Sequence, residues 1–310
     1  MRTFKKFYIE TTSICNLSCY FCPPTERAKG FLSIEQYTRT LEQIKPFTNY
    51  IYFHVKGEPL LHPKIDVLLD IAHEHGFKVN ITTNGTLIRK NTEKLLGKPA
   101  LRQMNFSLHS FDGDPGSRDL KQYLADILQF VALARESSDM ITSFRLWNLS
   151  EDNEENVKSK RNRELLAMIE EAFQLPYEIQ EMYKPGTGSG MKIADRVYLN
   201  QDPQFRWPAL DEPEDDGVGF CHALRNQAGV LIDGTVIPCC LDGEGILDLG
   251  NINDDSFENI INGERATAIY DGFSRREAVE ELCRKCGYRQ RFGKQSKREL
   301  VTSGAQAQPS

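Results

Sequence analysis

Hydrophobic residues recur along the first half of this chain with two periods in turn. Short runs rich in β-branched and aromatic residues, "FYIETT" (7–12), "YIYFHV" (50–55), "FKVNITT" (77–83), "RQMNFSL" (102–108) and "ITSFRLW" (141–147), read as strands. Between them the apolar positions fall at helical spacing, over Ile34–Ile44 behind a Ser33 cap, Lys64–His75, Leu87–Leu96, Leu120–Arg135 and a further stretch near Glu154–Phe173. Each strand and helix together span about 25 to 35 residues, the size of a βαβ repeat, so the pattern predicts a parallel sheet with crossover helices. In barrels of this kind the chemistry sits at the carboxyl ends of the strands.

Past about Pro176 the texture changes. Glycine and proline punctuate short segments such as "KPGTGSG" and "LDEPEDDGVG", and the helical period fades. A smaller second domain is expected over 205–292, after a first domain at 1–204, with 293–310 as a flexible tail of low hydrophobicity.

Composition narrows the class without naming a function. With 310 residues, 40% hydrophobic and 26% charged, the chain can bury a sizeable core. No apolar run is long enough to span a bilayer and "MRTFKKFYIE" carries no export signal, so the reading is a soluble, cytoplasmic protein with no membrane partner. A net charge of -6 argues against a nucleic-acid partner, and the basic run "RKCGYRQRFGKQSKR" reads as a solvated tail. Eight cysteines in such a chain point to reduced thiols that serve metal or catalysis.

Three of those cysteines, Cys15, Cys19 and Cys22, stand in the spacing C-x3-C-x2-C directly after the first strand. Three thiolates complete neither a structural zinc tetrahedron nor the four irons of a cubane cluster, so in a cubane one iron stays open to chelate a substrate or cofactor. The structural alternatives are buried thiols, or three of four zinc ligands with a distant partner.

In this loop the chain resembles the radical S-adenosylmethionine superfamily, whose signature C-x3-C-x-aromatic-C is met by Cys15, Cys19, Phe21 and Cys22. The resemblance implies a [4Fe-4S] cluster whose open iron binds S-adenosylmethionine, and an electron donor such as flavodoxin or ferredoxin. It also implies a 5′-deoxyadenosyl radical that takes a hydrogen atom from a substrate. "KGEP" (56–59), at the end of the second strand, is similar to the family's G-G-E-P, so Gly57 and Glu58 are expected at the cofactor's ammonium, with Lys56 departing from the pattern. "TTNG" and "SLHS" end the third and fourth strands; Asn84 and Ser107 there suit ribose hydroxyls, and Arg145 on the fifth strand suits the cofactor carboxylate. Each could instead satisfy a turn or a surface pair. His54, His62 and His109 read as hydrogen-bonded or capping residues.

The second cysteine set is Cys221, Cys239 and the C-x2-C pair Cys283 and Cys286. "DGTV" marks a turn between two β-branched runs, so Cys221 and Cys239 flank an expected hairpin, and the four thiolates suit either a zinc ribbon or a fully ligated iron–sulfur cluster. The spacing C-x9-15-G-x4-C, with "LGNI" (249–252) and a distant C-x2-C, is similar to the extensions called SPASM and Twitch, which implies one auxiliary [4Fe-4S] cluster in the shorter form. Cys240 is left over: successive side chains of an extended segment point to opposite faces, which leaves Cys240 as a buried structural thiol or as a hydrogen-atom donor. Asp242 in "CCLDG" reads as a turn residue or a proton acceptor beside that cluster.

The resulting expectation is a partial (β/α)6 TIM-like barrel closed by a small C-terminal iron–sulfur domain. Its reaction would be a two-electron oxidation or bond formation on a small molecule or peptide. A start so close to the first strand leans towards a small molecule or a separate recognition partner. Radical epimerisation with Cys240 as donor is the second reading, and a non-enzymatic zinc-binding protein the alternative of another class.

Overall fold

The structure, a computed structural model, describes residues 2–113, 119–149, 157–182 and 190–292. The expected tail at 293–310, residues 154–156 of the fifth expected helix and most of "KPGTGSG" lie outside the described residues.

Five of the parallel strands fall where the hydrophobic pattern puts them: β1 (Lys6–Ile9), β2 (Tyr50–Phe53), β3 (Lys78–Thr83), β4 (Leu101–Ser107) and β5 (Ile141–Leu149). Helices α1 (Ile34–Ile44), α2 (Ile65–Glu74), α3 (Ile88–Leu95), α4 (Leu120–Ser137) and α5 (Val157–Phe173), with a short α6 (Ile179–Met182), form the crossovers. The helices begin for local reasons. The Ser33 hydroxyl accepts from the Gln36 N–H at 3.1 Å and the Asp119 carboxylate from Lys121 N–H at 2.9 Å, each satisfying a donor the first turn would leave unpaired. Behind its cap α1 buries Tyr37, Leu41 and Ile44, one stripe at helical spacing.

A sixth parallel strand was not visible in the sequence. β6 (Met191–Ala194) turns back into β7 (Val197–Pro203), which pairs in parallel with β5. The turn uses Arg196 at φ 58° in place of a glycine, so no turn signal announced it, and β7 buries only Val197 and Leu199. The expected hairpin around Gly234 is present as β8 (Gln227–Val230) and β9 (Val236–Ile237), and β8 joins β1 in parallel. Among the described residues the sheet order is β6-β7-β5-β4-β3-β2-β1-β8-β9, an open, partial barrel. The remaining helices, α7 (Phe257–Asn262), α8 (Glu264–Ser274), α9 (Glu281–Arg284) and α10 (Gly287–Gln290), belong to the C-terminal segment.

Strand alternation separates two faces. Phe7, Ile9, Ile51, Phe53, Val79, Ile81, Met104, Phe106 and Phe144 are fully buried in the core beneath the helices. The intervening residues, among them Tyr8, Tyr52, Asn80, Thr82, Asn105, Ser107, Ser143 and Arg145, face the concave side. Register aligns Thr82, Asn105 and Ser143 in one row and Ser107, Arg145 and Asn200 in another. Such a polar inner face cannot be a packing surface alone. Among the described residues no helix is long and apolar enough to cross a membrane.

Candidate functional site: two cysteine sets on either side of a polar lumen

The three-cysteine loop leaves β1 and is held at its base by short polar side chains. The Thr12 hydroxyl donates to Gly30 O at 2.7 Å and the Ser13 hydroxyl to Ala28 O at 3.1 Å, while Glu58 N–H donates to Ile14 O at 2.8 Å. Gly57 is required by this approach. It has φ 70°, and a Cβ there would lie 2.2 Å from Thr12 O.

Glu58 is fully buried, and its carboxylate accepts from Leu60 N–H at 3.0 Å, the Thr83 hydroxyl at 2.7 Å and Asn84 N–H at 2.7 Å. Burial pushes its pKa up against these three bonds. Glu58 thus fastens the end of β2 to the end of β3. The Asn84 amide donates to Asn16 Oδ1 at 2.9 Å, close to Cys15 Sγ at 4.0 Å, and so carries the end of β3 to the cysteine loop.

Cys15, Cys19 and Cys22 are free thiols. Burial, then Cys22 and Cys15 in turn, push the Cys19 thiol up to about 12, and burial raises the other two. Three thiols that oppose one another's ionisation need a strongly cationic group to exist together as thiolates. Among the described residues no three such ligating side chains converge on one metal-ion position; a cubane offers each thiolate its own iron and suits a wider set.

Across the lumen, Arg145 lies 3.5 Å from the Thr82 hydroxyl and stacks over Trp147 at 5.0 Å. His54 is pushed down to about 4, by burial first and the Arg145 charge second, so it is a neutral ring at pH 7. His62 and His109 are hydrogen-bonded to Leu32 O at 3.0 Å and Arg145 O at 3.1 Å, the structural roles their positions implied.

The second set forms around the β8–β9 hairpin. Cys239 interacts electrostatically with Cys221, Cys283 and Cys286, so the four thiols share one neighbourhood, and burial raises all four, Cys221 to about 11. Cys239 packs on the main core, whereas Cys240 belongs to a separate cluster with Tyr8, Tyr52, Val55, Leu231 and Ile237 on the lumen side. The Cys240 thiol lies beside Tyr8 in the field of Arg145, and burial raises its pKa. Asp242 is buried, and its two carboxylate oxygens accept from Ile246 and Leu247 N–H, each at 2.9 Å. It shapes the loop after Cys240, with a pKa raised to about 6 by burial.

Sequence reasoning missed Tyr8, Tyr52, Asn200 and Tyr288 as neighbours of this site. Tyr8 and Tyr52 were detectable as the odd members of alternating strands; nothing local marks Tyr288, which reaches Cys240 only through tertiary folding.

Comparison with known proteins follows the same division. The family model of the radical SAM superfamily matches residues 9–160, and that of SPASM, an iron–sulfur cluster-binding domain, matches residues 221–287. The chain is similar to the antilisterial bacteriocin subtilosin biosynthesis protein AlbA of Bacillus subtilis, 25% identical over 306 residues, covering 90% of this chain and 64% of that protein. It is also similar to the tungsten-containing aldehyde ferredoxin oxidoreductase cofactor-modifying protein of Pyrococcus furiosus, 32% identical over 108 residues, 34% of this chain and 30% of that one. The chain thus spans less than two thirds of the length of either curated relative. Among solved structures, Streptococcus suis SuiB bound to precursor peptide SuiA matches with TM-score 0.58 and 16% identity over 93% of this chain and 70% of that one. BtrN in complex with AdoMet and 2-DOIA matches with TM-score 0.54 and 17% identity over 92% of this chain and 94% of that one. At these identities the structural likeness speaks for the fold.

Proposed function

We propose, for a chain that belongs to the radical S-adenosylmethionine superfamily and carries a SPASM-type iron–sulfur domain, that it abstracts hydrogen from a polar substrate in the lumen and oxidises it by two electrons. Cys15, Cys19 and Cys22 would hold the cluster that cleaves the cofactor, and Cys221, Cys239, Cys283 and Cys286 the auxiliary cluster. When bound, the first cluster and S-adenosylmethionine supply a primary carbon radical, the hard chemistry that no side chain provides.

The chain's own residues position and enclose. Gly57 lets the second strand end touch the cysteine loop, and Glu58 and Asn84 fix the third strand end against it. Ser107 and Arg145, one row of the inner face, would take the cofactor's ribose and carboxylate, with Thr82, Asn105 and Ser143 in the row beside them.

The observation that carries the oxidative reading is the seam between the two cysteine sets and the lumen. Cys239 faces the auxiliary set, Cys240 faces Tyr8 and Arg145, and one peptide bond joins them. An electron acceptor so near the substrate space suits removal of a second electron after hydrogen abstraction. The same seam favours a second reading, epimerisation, in which the Cys240 thiol returns a hydrogen atom and no net electron leaves.

Both a small molecule and a peptide remain consistent with the relatives, since BtrN is described with 2-DOIA and SuiB with SuiA. A polar lumen built from hydroxyls, amides and one guanidinium supports a substrate rich in hydrogen-bonding groups. The electron donor is of the flavodoxin or ferredoxin class.

The test is anaerobic reconstitution followed by incubation with dithionite and S-adenosylmethionine. About eight irons per chain, with 5′-deoxyadenosine formed by the wild type and abolished in Cys15→Ala, is the expected result. Intact clusters without 5′-deoxyadenosine would end this reading.

A further inference from the structure

Lys56 stands where the family's motif has glycine, and the fold buries it. Its side chain is only 7% exposed, its stem fills the space beside Gly243, and its ammonium lies 5.2 Å above the Trp207 ring. The ammonium donates to Pro23 O at 2.5 Å, and the Cys22 sulfur is 3.9 Å from that same oxygen. The sum of these two distances, about 6.4 Å, bounds the separation of ammonium and sulfur. Among the described residues Lys56 forms no ion pair, and the nearby Glu58 carboxylate is taken up by Leu60, Thr83 and Asn84.

A buried cation without a counter-ion is strongly unfavourable. The Pro23 carbonyl and the Trp207 face offset part of that cost but carry no net charge, and the Cys22 sulfur approaches the same carbonyl. A cubane held by three thiolates carries one net negative charge and gains a second on reduction, and net charge is one of the levers that sets such a cluster's potential. We propose that Lys56 is the counter-cation of the three-cysteine cluster, favouring its reduced state and bracing its loop against the C-terminal segment.

This inference rests on the reading of Cys15, Cys19 and Cys22 as cluster ligands, and one measurement separates their failures. Redox titration of the reconstituted protein, followed by electron paramagnetic resonance, resolves the cluster whose signal responds to S-adenosylmethionine from the auxiliary one. In Lys56→Met, which keeps the stem, the responsive cluster should be about tenfold harder to reduce, a shift of about 59 mV for a one-electron couple. Lys56→Arg should stay near wild type, and the auxiliary midpoint should not move in either variant. If Lys56→Met fails to assemble clusters, Lys56→Gln takes its place with the same expectation. An unchanged midpoint in the neutral variant overturns the proposal while leaving the function standing. A wild type with no responsive cluster overturns both.

Discussion

Cys239 and Cys240 are neighbours in the chain, yet Cys239 packs on the main core with Cys221 and Cys283 while Cys240 packs in a separate cluster with Tyr8. A turn after β9, not the extended segment the sequence suggested, produces this division: the chain bends at Cys239 and turns at Cys240, and Asp242 N–H donates back to Cys239 O at 3.3 Å. Two adjacent thiols therefore serve different surroundings, one in the second cysteine set and one beside the inner-face tyrosines.

Replacing Cys240 by alanine separates the two reaction readings. In an oxidation, turnover of an accepted substrate should fall by less than about tenfold, since the thiol is a bystander. In an epimerisation, 5′-deoxyadenosine should still form while the inverted product, and its solvent deuterium, disappear.

Gly57→Ala should damage the site through the backbone. The added methyl would sit 2.2 Å from Thr12 O at a φ of 70°, so either the cysteine loop or the second strand end must move. A loss of at least about 2 kcal/mol in stability, together with poor iron retention at Cys15, Cys19 and Cys22, is expected and is read by thermal unfolding and iron analysis.

Glu58→Gln tests whether that carboxylate holds the strand ends together. The amide keeps one acceptor and turns its NH2 either towards Asn84 N–H or towards Leu60 N–H and the Thr83 hydroxyl, so at least one buried N–H loses its acceptor. The cost should be about 1–3 kcal/mol, visible as a lowered unfolding temperature at pH 7 in the presence of both clusters.

His54 predicts a slope in stability with pH. Its pKa is depressed in the fold from 6.5 to about 4, so its contribution is complete above the unfolded value and is lost as pH falls towards the folded one. Between pH 6.5 and 5 the wild type should lose about 2 kcal/mol relative to His54→Phe. Parallel denaturant curves for the two proteins across that range would show the histidine to be protonated without penalty.

Much of the site was legible because its motifs are local. Cys15, Cys19 and Cys22 share one loop, and "KGEP", "TTNG" and "SLHS" each end a strand, so the strand-end rule and hydrophobic period together bring them to one rim. The contacts of Glu58 were less legible: "KGEP" marks a carboxylate at a strand end, and only tertiary structure gives it Thr83 and Asn84 as partners. For Asp242 the turn reading was available from "CCLDG", and its bonds to Ile246 and Leu247 N–H agree with it.

Strand alternation, helix caps and cysteine spacing determined from the sequence alone the strands, their crossovers and the first thiol set, because each is written within a few consecutive residues; the second set was legible only as a pattern spread over 221–286. Tertiary structure decided that β7 pairs in parallel with β5, that β8 docks in parallel beside β1 more than two hundred residues away, and that Lys56 meets the Pro23 carbonyl beside Cys22 while Tyr8 packs with Cys240. Those contacts depend on which distant surfaces bury one another, and no local period records that choice.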